Sequence, residues 1–271
     1  MARGKPFGTC RLCGEENLLS FEHVPPRVTF NASKVVEKSF QEYIGPGSRD
    51  WDEPPDGRGK QRQRGNGGHR LCRACNSFLG REYVPYYAEF VHEIVRGSSD
   101  GTDLVKITVC IKRVLKQIVA MFCAINKGGP EWPAVVRFAR DASCSELPEK
   151  YRLFFFRCRG PSIHLYGFQA WLDLKRPGSG ATMISEITHT PMGFHLLYGH
   201  GGEHNPRMVE ITDWVKYSID DLHEIGLVAP VLPAYSPMFN DFRTPREMRR
   251  DRRSNESHAA LRGMGWWLPE T

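Results

Sequence analysis

The chain has 271 residues, of which 40% are hydrophobic and 25% charged, and its formal net charge is +6. Such a composition suits a soluble globular protein long enough for one large domain or two ordinary ones. Lys106, Lys112, Arg113 and Lys116 interrupt the longest apolar stretch, and Met1 to Lys5 lead into a cysteine motif, not an apolar signal region; the expectation is a cytoplasmic protein without a membrane partner.

In chain order, Lys5 to Phe30 carries a first Cys-x-x-Cys knuckle, a short apolar run and Glu22-His23-Val24-Pro25-Pro26. A helix is expected at Ser33 to Tyr43, then a mobile loop over about 45–68, where Gly, Pro, Arg, Gln and Asp leave little to bury. Order returns at His69-Arg70-Leu71-Cys72. After the second knuckle, Asn76 to Gly80 should begin a helix, and Pro85 suits the first turn of another that ends at Gly97. Leu104, Ile107, Ile111, Val114, Leu115, Ile118, Val119, Phe122 and Ile125 recur at helical spacing and predict one long helix. Strand-like runs follow at Leu153 to Arg157, Ser162 to Trp171, Thr182 to Thr188, Gly193 to Tyr198 and Val209 to Ile211, separated by Gly and Pro. The pattern predicts an α+β protein in three parts: 1–96, stapled by cysteines; 102–235, an antiparallel sheet packed on the long helix; and 236–271, a basic tail helical from about Pro245 to Arg262.

Basic residues gather in two places, Arg58 to Arg73 and Arg243 to Arg253. They provide either a field that concentrates polyanions or simply solvated faces. Of the eight cysteines, Cys110, Cys123, Cys144 and Cys158 stand alone as core thiols, whereas Cys10, Cys13, Cys72 and Cys75 form two Cys-x-x-Cys pairs. Two knuckles can converge four thiolates on one tetrahedral ion, a closed site whose role is structural, and zinc is the expected metal. A redox pair would want a thioredoxin-like strand–helix context instead. His189, His195, His200 and His204 fall in a Gly-rich hairpin region, where Gly199, Gly201 and Gly202 argue against a helical ligand pair and Glu203 is the acidic neighbour in sequence.

Cys10-x-x-Cys13, then Glu22-His23-x-Pro25-Pro26, then Leu71-Cys72-x-x-Cys75-Asn76 with the trailing Gly80 resembles the HNH endonuclease family over about the first 90 residues. The further Tyr83, Tyr87 and Phe90 resemble a bacterial subgroup of it. The resemblance implies a ββα-metal unit supported by a zinc ribbon, with His23 as general base and Glu22 and Asn76 as oxygen ligands of a catalytic Mg²⁺ or Mn²⁺. Those residue types suit phosphodiester hydrolysis: an imidazole takes the proton from water, and a hard divalent ion offsets charge on the phosphate and the leaving oxygen. The middle residue of the signature, which shapes the base loop, falls on Asn66 or His69, and neither matches cleanly; Asn66 reads equally as a turn residue and His69 as a strand entry.

The expected activity is therefore metal-dependent cleavage of nucleic acid, double-stranded DNA first, in a setting such as phage defence or mobile-element biology. Target choice would come from the second domain, a homodimer or an activating protein partner. The alternative from another class is a catalytically silent zinc-ribbon module that binds nucleic acid or a protein partner, with Glu22, His23 and Asn76 in structural roles.

Overall fold

The structure, a computed structural model, describes residues 6–39, 59–97, 103–172, 181–199, 205–236 and 238–251. β1 (Phe7–Thr9) and β2 (Glu16–His23) make a hairpin, β3 (Val35–Glu37) pairs β4 (Lys60–Arg62), and β5 (Gly67–Cys72) returns antiparallel to β2. β5 runs straight into α1 (Arg73–Glu82), and α2 (Val84–Gly97) follows after Tyr83. Then come β6 (Leu104–Val109), α3 (Ile111–Ile125) and α4 (Trp132–Arg140). A sheet is built from β7 (Tyr151–Arg159), β8 (His164–Leu172), β9 (Ala181–His189), β10 (Met192–Tyr198) and β11 (Val209–Glu210) in the order β11-β7-β10-β9-β8. After a 3-10 turn at Thr212–Lys216, β12 (His223–Val228) pairs β6 and β13 (Val231–Pro233) joins β7; residues 245–251 are helical.

The expected long helix from Leu104 is two elements. Val105, Ile107 and Val109 alternate buried with exposed neighbours and pair with β12, so the first six residues are a strand. Helix begins only at Ile111, where apolar residues recur on every side, and α3 is buried almost all round. Its Lys116 is wholly buried, yet the ammonium donates to the carbonyls of Phe138, Asp141 and Cys144 at 2.6, 2.8 and 2.7 Å and lies over the Phe138 ring. Burial pulls its pKa down to about 8, which still leaves the charge that three acceptor-only partners require at neutral pH. One lysine thereby fastens the end of α4 to α3.

The expected helix at Ser33 to Tyr43 is likewise corrected: the β-branched Val35-Val36 lies in β3, and residues from 40 onward lie outside the described residues. Within the expected loop, 59–68 are described and include β4 and the start of β5, whereas 45–58 lie outside. The sheet is antiparallel as expected except at β13, which pairs β7 in parallel. β7 is its centre. Leu153 and Phe155 face the α-helices, while Phe154, Phe156 and Cys158 face a second cluster closed by Phe242. That second face is covered by the beginning of the basic tail, where Phe242 and Met248 are buried and Arg243 is held by Asp241 and Asp251 at 2.6 and 3.1 Å. Residues 252–271 lie outside the described residues.

α2 connects the front of the chain to the sheet. Tyr87, Phe90, Val91 and Ile94 form its buried stripe, and Phe90 meets Phe155 and Trp214 edge-on at 5.6 and 5.7 Å. One hydrophobic core consequently runs from Cys10 and Leu12 through α2 and α3 to Leu196 and Ala229. Among the described residues, no helix is long and apolar enough to cross a membrane.

Candidate functional site

The first knuckle turns between β1 and β2. Gly14 N donates to Cys10 O at 2.8 Å, and Gly14 itself takes the left-handed φ of 79° that lets the chain reverse there. The second knuckle is the start of α1: Cys72 is the N-cap, and its sulfur accepts from Cys75 N at 3.5 Å. A thiolate at a helix N-terminus is favoured by the amides that have no partner within the helix. β2–β5 pairing brings the knuckles together. All four sulfurs lie within 4.8 Å of one another, with Cys13 and Cys72 at 3.9 Å. A tetrahedron of ~2.3 Å zinc–sulfur bonds has edges of about 3.8 Å, so the cluster can hold a metal ion such as zinc. Cys10 is held down to about 4 by its hydrogen bond with Cys75 and by the amides of Cys72, Cys13 and Leu12, against the opposing effect of burial.

β2, β5 and α1 follow as strand, strand and helix, with α1 packed on the sheet. Glu22, His23 and Asn76 all line a cleft of about 230 Å³ at the end of β2, Glu22 and His23 from opposite faces of the strand. Glu22 is 4% exposed, accepts from Arg70 N at 3.1 Å and lies 3.7 Å from the Arg70 guanidinium. Burial raises its pKa to about 7, against the pull of Arg70. Its second oxygen, Oε1, has no hydrogen-bond partner. Asn76 Nδ2 donates to Ser20 Oγ and Phe21 O at 3.2 and 3.1 Å, which fixes the nitrogen on β2 and leaves Oδ1 as the group free to accept.

His23 sits one residue on, on the opposite face of the strand. Its Nε2 lies 2.8 Å from Arg64 O; a carbonyl only accepts, so Nε2 carries the proton and Nδ1 the lone pair. Phe21 meets both His23 and His69 edge-on at 5.0 and 5.4 Å, which places the three rings on one face. His69 is exposed there and bonds nothing in the base loop. Asn66 reaches the loop through its backbone: Asn66 O accepts from Val24 N at 3.1 Å.

The residue that clamps the loop is one that the spacing of the motif did not single out. Asn31, 1% exposed, donates through Nδ2 to Pro25 O at 2.6 Å and to Asn66 O at 2.8 Å, and accepts from Asn66 N at 2.6 Å. Gly65, with φ of 86°, lies so close that a Cβ would stand 2.2 Å from Asn31 O. Gln117 on α3 was missed as well. It is 3% exposed, lines the same cleft and has an unpartnered Oε1; a lone glutamine in an otherwise apolar helical face was the available signal.

A second polar cluster lies within the sheet. Register places His195 of β10 opposite Glu186 of β9, and His164 of β8 beside it. Glu186 bonds His164 Nδ1, accepts from Thr188 Oγ1 and Asn240 N at 2.7 Å each, and lies 3.5 Å from His195 Nε2. His164 Nε2 donates to Ser236 O at 2.9 Å. Burial would neutralise Glu186, but the charge and hydrogen bond of His164 overcome it and hold the pKa below the usual carboxylate range; burial likewise opposes the His164 charge, and Glu186 overcomes it in the raised direction. The acidic partner of His195 is therefore Glu186, across the strands. His189 is buried with Nδ1 3.1 Å from Thr190 O, and His200, Glu203 and His204 lie outside the described residues. This cluster fastens β8, β9 and β10 to Ser236 and to Asn240.

No protein-family model, characterised protein or solved structure matches this chain.

Proposed function

We propose that this chain is a metal-dependent endonuclease of the HNH type, acting on double-stranded DNA. The observation that carries the reading is that Glu22, His23 and Asn76 all line one cleft, next in sequence to a four-cysteine cluster and where two paired strands meet a helix. The four thiols suit a structural zinc ion. The cleft offers oxygen in place of sulfur: Glu22 Oε1, buried without a hydrogen bond and 3.7 Å from the Arg70 guanidinium that an ion would compete with, and the Asn76 amide oxygen would be the ligands of a hard ion such as Mg²⁺ or Mn²⁺. Such an ion, when bound, would offset charge on the scissile phosphate and the leaving oxygen.

The remaining steps belong to the side chains. His23 Nδ1 takes a proton from the attacking water, and Arg64 O holds the ring so that this nitrogen and not Nε2 is basic. Asn31 keeps Pro25 and Asn66 in register, and with them the loop that carries Arg64. The cleft is of a size for an ion and a phosphate group, so a duplex would lie across it. The exposed Arg27 and Arg64 flank His23 and suit contacts to the adjoining phosphates, independent of base sequence. Target choice, and any defence or mobile-element setting, would rest on a second copy or a protein partner.

The test is cleavage of plasmid DNA by the zinc-loaded protein in Mg²⁺, Mn²⁺ and EDTA, with His23→Ala alongside. Cutting should need the divalent ion and fall about 10²–10⁴-fold in the variant. Full activity in His23→Ala would remove His23 as the base. The competing reading, a silent zinc-ribbon module, is favoured by the strut-like bonds of Glu22 to Arg70 and of Asn76 to Phe21 O. It requires intact zinc binding, no second exchangeable ion and no cutting.

A further inference from the structure

A second and larger groove, of about 1170 Å³, is lined by residues 9–14 of the first knuckle and by α4, with Phe78 of α1 and Lys127 also in its wall. Its charges are nearly all of one sign: Arg11, Lys127, Arg137 and Arg140 against a single carboxylate, Asp141. That carboxylate is already engaged, since Asp141 Oδ1 accepts from Ser143 N and Ser143 Oγ at 2.8 and 2.6 Å. Among the described residues, none of the four cations is in an ion pair. Lys127, Arg137 and Arg140 are exposed, and a place at the end of a helix accounts for each of them singly. Arg11 has no such account. It is half-buried in the knuckle, its Nη1 donates to Ala124 O at 2.7 Å, and burial, reinforced by the charge of Arg70, draws its pKa below the ordinary arginine value. A half-buried guanidinium without a carboxylate, in a groove with three more cations, is a cost that an anionic partner removes.

A groove lined by one sign of charge focuses its field on a polyanion. This one takes its cations from three separate places in the chain, the knuckle, the end of α3 and α4, which suits a row of phosphates better than one. Phe78 adds an aromatic surface on which a base can stack. A single strand presents phosphates and bases together, whereas a duplex keeps the faces of its bases inside the stack. We propose that the groove between the first knuckle and α4 binds a single-stranded stretch of nucleic acid, its phosphates held by Arg11, Lys127, Arg137 and Arg140 and a base stacked on Phe78. Ala124, whose carbonyl holds Arg11, also lines the cleft of Glu22 and His23, so the two surfaces adjoin at the end of α3. The groove is nonetheless independent of the chemistry proposed for that cleft, and a catalytically silent chain would use it equally.

The experiment is fluorescence anisotropy of a labelled, mixed-sequence single-stranded DNA titrated with the full, zinc-loaded chain over a salt series. Mg²⁺ and Mn²⁺ are left out, and zinc content is measured for every variant. In Lys127→Gln/Arg137→Gln/Arg140→Gln the slope of log affinity against log salt should flatten by about 2, that is about 0.7 for each lost contact, with binding weakened about 10-fold or more. The single variants should each flatten it by about 0.7, which keeps the test open should the triple variant lose zinc. Phe78→Leu should weaken binding about 10-fold at an unchanged slope. Lys106→Gln/Lys150→Gln/Arg207→Gln, which removes the same charge outside the groove, should bind as wild type does. Equal weakening in both triple variants, or in neither, would overturn the groove as the binding surface. Tighter binding of the matched duplex, lost in the groove variant, would overturn the choice of a single strand. Competition by polyglutamate as effective as that of unlabelled strand would overturn nucleic acid as the ligand. Groove-dependent binding by a protein that cuts no DNA would support this proposal while the nuclease reading fails, and cutting by a protein whose groove variant binds unchanged would do the reverse.

Discussion

The cysteine-stapled region and the large sheet solve the same problem by different physics. Around the knuckles β1 is only three residues long, and Phe7 and Leu18 remain 68% and 54% exposed; what converges there is sulfur. In the sheet, Phe154, Phe155 and Phe156 are wholly buried on the two faces of one strand, and the polar cluster among them is tied together through Glu186, with His195 Nε2 left 3.5 Å away and without a hydrogen bond. One region has the sulfur ligands to draw cohesion from an ion, and the other draws it from apolar area. A region that four ligands could hold needs less apolar area between its strands, and the candidate site lies there.

Removing the metal should break the comparison most strongly. Chelation, or Cys72→Ser, withdraws binding free energy on the order of 10 kcal/mol from a region with little core of its own. Hydrogen exchange should then show lost protection over β2, β5 and α1 and retained protection over β7, β9 and β10. Equal loss in both regions would mean that the shared core makes them one cooperative unit. Next in size is Glu186→Gln, which leaves the His164 charge buried without its partner and should cost about 3–5 kcal/mol in chemical denaturation while zinc stays bound. The same pair gives a pH signature. His164, raised above its ordinary 6.5, contributes fully below that value and less as pH climbs through its raised pKa; Glu186, depressed below its ordinary 4.5, contributes above that value and less as pH falls through its depressed one. Wild-type melting temperature should therefore fall on the alkaline side more than that of His164→Gln. Parallel pH profiles would show that the pair does not titrate there. The smallest expected effect is Asn31→Ala, which frees three backbone groups at a cost of about 1–3 kcal/mol. It should lower DNA cleavage more than it lowers melting temperature, and the reverse would make Asn31 merely structural.

What could be read in the sequence follows from how local each cause is. The strands from Leu153 to Tyr198 were legible because apolar runs end at Gly and Pro, and the four cysteines because their spacing is the chemistry. Leu104 to Ile125 misled because Leu104, Ile107 and Ile111 also fit a helical period; the alternation of Val105, Ile107 and Val109 that decides for a strand is satisfied only by β12, over a hundred residues away. Glu22, His23 and Asn76 were singled out from their places beside the knuckles, and the structure brings them to one cleft. Gln117 comes from an element with no motif, and Asn31 acts on backbone atoms at Pro25 and Asn66, so no pattern of side chains announces it. For the same reason the middle position of the motif matched neither Asn66 nor His69: at Asn66 it is the backbone that bonds the loop, and His69 stays on the exposed face.

The pairing of β3 with β4 bears on how this chain can change. Glu37 and Lys60 stand opposite each other, and Arg62 closes on Glu37 at 2.7 Å, so the intervening chain leaves and returns at neighbouring points. Closing a longer connection there costs only about 0.6 kcal/mol for each doubling of its length. A change in the length of chain between those two residues should therefore leave the β3–β4 closure in place, and with it the position of His23.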